Sequence, residues 1–360
     1  MRLPLSRCLD PVSPHPEANR IVGEESLPEV SIIVIAKNEE NTIGKCISSV
    51  MQQDYPRFEI VFVNSYSTDR TLAIVESVVP PLRRIKITQS QGNAAAARNA
   101  GLRLARGQII AFVDGDSYLD RDWLPRAVRY LQHARDAHVA AVGGPFIQVP
   151  QARTTMALAI SGVESTMLGG GGSIRSHEDN KCRLVRSLSL TGAIFWSDVV
   201  RQVGFFDERL RYCEDSEFCQ RVRWAGYKLM SYGDLGAFHT PKYETLGAFA
   251  AKMWKYGVGR GRAVRLHWRL MTGLALGAVV YSIVFATALF LGLVIVSPES
   301  DLMAILLAGL YLATITASSI AISARQGSSQ LFFLSLGGYL ALHIPYTAGL
   351  MVGIFVPRRR

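Results

Sequence analysis

Gln108-Ile109-Ile110-Ala111-Phe112-Val113-Asp114-Gly115-Asp116 is the stretch on which the fold turns. Ile109 to Val113 are consecutive apolar residues, the pattern of a parallel strand buried on both faces. The run stops at two carboxylates separated by a single glycine. Two negative charges this close at the end of a buried strand repel, and desolvation adds to the cost. A divalent cation removes that cost, because carboxylate oxygens are natural ligands for Mg²⁺ or Mn²⁺. In open α/β sheets, ligands gather at the carboxyl ends of the strands. The plainer alternative is a solvated turn or a helix cap, since Asp and Gly are common turn residues. The tripeptide alone does not choose between the two.

The flanking sequence supplies the context. Upstream, Val30–Ala36 is a continuous apolar run and reads as a first strand. A helix pattern follows the polar turn at 38–41, with Ile43, Ile47, Val50 and Met51 on one face and Asn41 or Thr42 as its cap. A second strand is expected over 58–63 and a third over 84–88. Asp69 closes the polar loop after the second strand and is placed to cap a helix over 70–79. The Gly92-Asn93 turn opens an Ala-rich helix over 94–105. Strands alternating with helices of this length mean βαβ units and a parallel sheet. Downstream, the patterning predicts a helix over 123–134, strands over 139–142, 188–195 and 228–232, and a helix over 217–225 closed by Gly226. The glycine run at 169–172 reads as a mobile segment.

Composition bounds the class. Of 360 residues 49% are hydrophobic and only 19% charged, and the apolar excess falls after Leu270. Three charge-free apolar segments, 271–296, 302–322 and 331–356, are each long enough for the roughly 20 residues a spanning helix needs. The net charge of +10 concentrates in 252–269 and in Arg358-Arg359-Arg360. Basic runs bordering apolar segments fit a membrane surface better than nucleic acid, so no nucleic-acid partner is expected. Arg260, Arg262, Arg265 and Arg269 precede the first segment and place the preceding domain in the cytoplasm. Three complete spans would carry the terminal arginines outside, against that tendency. His343 and Pro345 interrupt the third segment, which therefore reads either as a span or as a re-entrant hairpin. Five scattered cysteines without metal-ligand spacing suit reduced thiols in the cytosol, and no signal peptide is apparent.

Five groups of residues are candidates for chemistry. Ala36, Glu39 and Asn64 stand at the ends of the first two strands, where a nucleotide base sits in a doubly wound sheet. Asn93 at the start of the helix before the central strand, with Arg98-Asn99 within it, could reach a diphosphate, the plainer alternative being a surface helix charge. Asp114 and Asp116 form the third group. Glu214-Asp215 opens a helix, where acids are also stabilising without any function. His239 is a possible further metal ligand, although a lone histidine is more often structural.

In order and spacing, residues 30–40, 58–71, 93–101, 109–116 and 204–227 resemble the successive signatures of family-2 glycosyltransferases. The ending in apolar segments is similar to that of membrane-attached members which build exopolysaccharide or lipid-linked glycans, such as succinoglycan-type glucosyltransferases. The resemblance implies a GT-A type α/β fold, a doubly wound and mostly parallel nucleotide-sugar-binding sheet, followed by about three transmembrane helices. The expected division is a leader over 1–28, a glycosyltransferase domain over 29–245, a basic juxtamembrane segment over 246–270, a membrane domain over 271–356 and a basic tail over 357–360. The implied substrates are a nucleotide-diphosphate sugar donor and a lipid-linked acceptor, at the cytoplasmic face of the inner membrane of the cell. The resemblance assigns Asp116 to the metal, Asp114 to the ribose or a metal-bound water, and His239 to a further ligand position. It makes Asp215 the base and Glu214 its orienting partner, with inversion at the anomeric carbon. Two departures stand out: Asn64 where the family has Asp, and Ser65-Tyr66 where it has an acidic-glycine turn. Gln220 to Trp224 match a Gln-x-x-Arg-Trp motif of processive synthases, but directly after Glu214-Asp215, so the match is read as chance on an ordinary helix. A nucleotide-sugar pyrophosphorylase and a non-catalytic binding module are the rival readings.

Overall fold

The computed structural model describes residues 27–78, 85–149, 154–170, 182–240, 245–270 and 298–356, together with 273, 276, 277, 280 and 284. In chain order the first elements are β1 (Val30–Ala36), α1 (Ile43–Met51), β2 (Phe58–Asn64), α2 (Thr71–Val78), β3 (Ile85–Gln89), α3 (Ala94–Leu104) and β4 (Ile109–Asp114). There follow β5 (Ser117–Leu119), α4 (Trp123–His133), β6 (Val139–Gly143), β7 (Phe146–Gln148), α5 (Thr155–Ser165) and α6 (Met167–Gly170). Then come β8 (Cys182–Val185), β9 (Ala193–Trp196), α7 (Ser197–Val203), α8 (Glu214–Trp224), β10 (Lys228–Tyr232) and β11 (Ala237–His239). The chain closes with α9 (Leu246–Leu266), α10 (Pro298–Gln326) and α11 (Gln330–Phe355). The described residues divide into two units, one drawn from Met1–Val149 and Ile174–Pro241, the other from Pro150–Ser173 and Lys242–Arg360.

The first unit is built on an eight-stranded sheet in the order β3-β2-β1-β4-β9-β6-β10-β8. The strands β1 to β4 are mutually parallel, as their apolar runs predict, and β1 is buried along its whole length. The strand expected over 188–195 is shorter. Leu188 and Leu190 are buried, but Gly192 turns the chain at φ +76°, and only Ala193–Trp196 pairs, antiparallel to both β4 and β6. A second, three-stranded sheet, β5-β11-β7, takes over where β4 ends. Asp114-Gly115-Asp116 is the corner between the two sheets. Helix α8 starts earlier than expected, at Glu214, and the chain leaves it through Gly226 at φ +92°, the left-handed exit that glycine favours. Cys46, Cys182, Cys213 and Cys219 are free thiols.

The second unit is helical. Ile160 and Val163 of α5, Phe249 and Met253 of α9, Ile315 and Ile322 of α10, and Tyr339 and Leu342 of α11 form its core. Helices α10 and α11 are long and apolar enough to cross a membrane. The first apolar segment lies mostly outside the described residues, as do Gly171 and Gly172, while Gly169 and Gly170 close α6. The expected break at His343 and Pro345 does not occur, and α11 runs unbroken through both. His343 is accommodated within the helix layer, Nδ1 lying 3.1 Å from Tyr311 Oη and Nε2 3.2 Å from the Leu168 carbonyl.

Candidate active site

Strand register brings the first candidates together. Ala36 pairs with Asn64, and Ile35 pairs with Asp114, so the carboxyl ends of β1, β2 and β4 lie side by side. Gly115 donates its N–H to the Ile35 carbonyl at 2.9 Å. A Cβ on Gly115 would stand 2.8 Å from the Ala36 Cβ and 3.3 Å from the Glu39 Cγ. Only a glycine lets the two carboxylates turn the corner this close to β1.

The two aspartates then part. Arg98, 5% exposed on α3, donates from Nη2 to Asp114 Oδ1 at 2.8 Å and from Nη1 to Glu214 Oε1 at 2.7 Å. Burial works against the guanidinium charge, but Asp114 and Glu214 more than offset it and hold the arginine above its usual range. Glu214 is itself buried, and that burial pushes its carboxyl up; the nearby Asp215 adds to the rise while Arg98 opposes it. Asp116 has different neighbours, and Ser117 Oγ donates to its Oδ1 at 3.3 Å. The same Oδ1 lies 3.2 Å from His239 Nδ1, a separation set by the antiparallel pairing of His239 with Ser117 between β11 and β5. That nitrogen is buried and not aligned for a hydrogen bond. The Phe146 ring stacks on the imidazole at 4.7 Å and holds its orientation. Between these groups sits Cys46, whose thiol is raised by burial first and then by Asp116, Asp114 and Glu39.

The placement corrects several expectations. Arg98 is committed to two carboxylates inside the protein rather than presented to a diphosphate. Asn93 is the cap of α3: its Oδ1 accepts from Ala96 N, and its Nδ2 donates to the carbonyls of Glu208 and Leu210. Its side-chain polar atoms are thus used within the fold. Asp114 is held by Arg98, while Asp116 lies beside His239. Among the described residues no three His, Cys, Asp or Glu side chains gather as a metal cage. Asn64 is buried and its Oδ1 accepts from Ser67 N at 3.2 Å, which closes the loop on itself. Tyr66 in that loop is held at φ +51° and is 56% exposed. Glu39 is nearly buried, its N–H bound to Thr71 Oγ1 and its Oε2 accepting from Thr42. Asp215 sits half-buried in the first turn of α8, its Oδ1 accepting from Ser216 N.

Two further stretches singled out in the sequence take their partners within the fold. Asn99 exchanges hydrogen bonds with the Phe206 backbone, fixing the turn ahead of α8. In the Gln220–Trp224 match, Arg221 pairs with Glu217 and binds the carbonyls of Val203, Gly204 and Phe205, while Arg223 binds Gln220. These are contacts that seat α8 against its neighbours.

A mostly parallel α/β sheet that ends in an acid-lined corner, extended by a small second sheet, defines a GT-A type transferase fold. Residues 31–180 match Glycosyl transferase family 2, and residues 109–319, more than half of the chain, match Glycosyl transferase family group 2. The chain belongs to the family-2 glycosyltransferases and is a transferase. Among curated relatives, the glycosyltransferase AglE of Haloferax volcanii is 29% identical over 246 residues, 65% of this chain and 74% of that protein. The uncharacterized glycosyltransferase EpsJ of Bacillus subtilis is 35% identical over 130 residues, 36% of this chain and 37% of that one. The beta-monoglucosyldiacylglycerol synthase of Synechocystis is 35% identical over 109 residues, 29% of this chain and 23% of that protein. The alignments thus span about three quarters of the first relative and well under half of the other two. Among solved structures, the mannosyltransferase PcManGT from Pyrobaculum calidifontis, in complex with GDP-Man and Mn²⁺, superposes with a TM-score of 0.56 at 20% identity. The superposition covers 89% of this chain and 88% of that one. The pyrophosphorylase and the non-catalytic module fall with this membership.

Proposed function

We propose that the protein transfers a sugar from a nucleotide-diphosphate sugar to an acceptor hydroxyl with inversion, using a divalent cation. The observation that carries this reading is the convergence of the ends of β1, β2 and β4 on one corner, with Asp215 at the start of the helix that Arg98 ties to it. The nucleotide lies over Ala36, Asn64 and Glu39, with Asp114 toward the ribose. Asp116 and His239 fit a cation: a carboxylate oxygen and a buried, unaligned imidazole nitrogen 3.2 Å apart are a mixed oxygen and nitrogen pair that suits Mn²⁺ or Mg²⁺ when phosphate oxygens complete the shell. A bound cation supplies neutralisation of the charge that develops on the departing diphosphate.

The chain's own groups do the rest. Asp215 accepts the proton of the acceptor hydroxyl as that oxygen attacks the anomeric carbon from the face opposite the leaving group. The bond from that carbon to the diphosphate oxygen breaks, and the electron pair leaves with the diphosphate. Glu214 acts through Arg98, holding the first turn of α8 against β4 so that Asp215 keeps its place. The cationic helix α9 and the apolar helices of the second unit favour a lipid-linked acceptor at the cytoplasmic face of a membrane, in the synthesis of an exopolysaccharide or cell-surface glycan.

The test is release of nucleoside diphosphate by membranes containing the full chain. They are supplied with UDP-, GDP- and dTDP-sugars, Mn²⁺ or Mg²⁺ and a lipid extract. One donor should support release, and Asp215→Asn should lower it by about 10²- to 10⁴-fold. Equal release by both proteins would remove Asp215 from the base role. Silence with every donor and either cation would overturn the reading.

A further inference from the structure

Helix α11 is long and apolar enough to cross a membrane, yet its neighbour argues otherwise. A Cβ on Gly257 would collide with the Tyr346 carbonyl, one on Gly261 with the Leu350 carbonyl, and one on Gly353 with the Val258 carbonyl. A Cβ on Gly349 would stand 2.5 Å from the Trp254 carbonyl. Two glycines at four-residue spacing on each helix therefore bring α9 and α11 backbone to backbone. At the other end Gly337 faces the Leu246 side chain. Residue numbers rise together along both helices, so they run parallel for about 23 Å at about 1.5 Å per residue.

Such a pair shares one depth in a bilayer. Lys252, Lys255 and Arg260 lie in the paired stretch, with Arg262 and Arg265 just beyond it. If α11 crossed the hydrocarbon core, α9 would have to carry these cations in beside it, and Lys and Arg are among the costliest residues there. The faces of α11 tell the same story. Its most exposed large side chains, Phe333, Ile344 and Phe355, are 71%, 62% and 68% exposed and stand at 11-residue spacing. That spacing is about three helical turns, so they form a single stripe. The opposite face, with Ser335, Tyr339, Leu342, Gly349, Leu350 and Gly353, is buried against the rest of the unit. On α9, Lys255 and Arg265 are exposed, alongside Trp254, Tyr256 and Leu266. A helix that spans alone shows lipid on most sides; this pair shows an apolar stripe on α11 and, on α9, the mixed aromatic and cationic surface that suits a membrane interface.

We propose that α11 is an interfacial helix. It lies along one leaflet with Phe333, Ile344 and Phe355 in the acyl boundary, and α9 backs it at the level of the headgroups and water. The partner of this surface is a lipid leaflet, and both ends of α11 stay on the same side of the bilayer as α9. The inference concerns the second unit alone and does not depend on the donor or on catalysis.

Nitroxide depth measurement tests it. The full chain, with Cys8, Cys182 and Cys213 changed to Ser, is labelled in turn at Phe333→Cys, Ile344→Cys and Phe355→Cys and reconstituted in vesicles of phosphatidylcholine with phosphatidylglycerol. Relaxation by oxygen against a water-soluble nickel chelate should place all three labels at one shallow depth. A label at Ile344 near the bilayer centre, with the other two shallow in opposite leaflets, would overturn the proposal, as would three labels in water. The labelled positions are exposed, so folding is not at stake. Reporter fusions after Val356 give an independent reading: a fluorescent cytoplasmic reporter should be bright there and alkaline phosphatase silent. Active phosphatase would mean that α11 crosses.

Discussion

Asp114 and Asp116 are separated by one glycine, yet they belong to two differently built halves of the site. Asp114 ends a buried parallel strand and meets a buried guanidinium that also holds Glu214. Asp116 starts the second sheet and meets an imidazole nitrogen without a hydrogen-bonding geometry. The first half satisfies its charges within the protein, and its product is rigidity: α3, β4 and α8 are joined at one point. The second half sets a carboxylate oxygen, which accepts from Ser117 Oγ, beside an imidazole nitrogen, and joins no distant helix to the corner. A pair of carboxylates two positions apart thus need not share one ligand; one can serve the scaffold and the other the chemistry.

The comparison can be broken most severely at Arg98. Arg98→Met strips the counter-ion from buried Glu214 and from Asp114, and removing one partner of a buried ion pair costs about 3–5 kcal/mol. Unfolding by denaturant should show that loss, and donor turnover should fall with it because Asp215 loses its anchor. Gly115→Ala strikes both halves at the corner. Its Cβ would press on Ala36 and Glu39, a strain worth about 1–3 kcal/mol in the same measurement. Asp116→Asn sharpens the contrast from the other side. Stability without added metal should change by less than about 1 kcal/mol, while the rise in thermal midpoint that Mn²⁺ gives the parent protein should disappear. Loss of stability as large as that of Arg98→Met would show that Asp116 is scaffold too.

The smallest effect concerns pH. Glu214 has its folded-state pKa raised above the ordinary carboxylate value of about 4.3. A carboxyl shifted upward binds its proton more tightly in the folded state. Its stabilising contribution is therefore complete below the ordinary value and is lost as pH rises through the folded one. The stability of the parent protein relative to Glu214→Gln should accordingly decline from acid toward neutral pH. A difference that grows with pH would mean that Arg98, not burial, governs Glu214.

Much of the first unit is legible because its signals are local. Apolar runs mark β1, β2 and β4, and Asp-Gly-Asp marks the corner. What escapes are contacts between residues far apart in the chain. Nothing near Arg98 announces that Glu214 will reach it, and Asn93 shows the same amide whether it binds a ligand or, as here, the carbonyls of Glu208 and Leu210. The insertion of β9 antiparallel between β4 and β6 is equally silent, since strand direction leaves no trace in a four-residue apolar run.

The second unit shows the division more sharply. Composition alone makes 330–355 an apolar helix, and hydropathy asks no more than length and the absence of charge. It cannot register that glycines on α9 and α11 bring a cationic helix into backbone contact with it. From the sequence by itself come the strand and helix order, the acidic corner and family-2 signatures, because each depends on neighbours in the chain. Only the tertiary structure decides which carboxylate Arg98 neutralises, which one His239 faces and what lies beside α11, because charges and helices answer to distance in space.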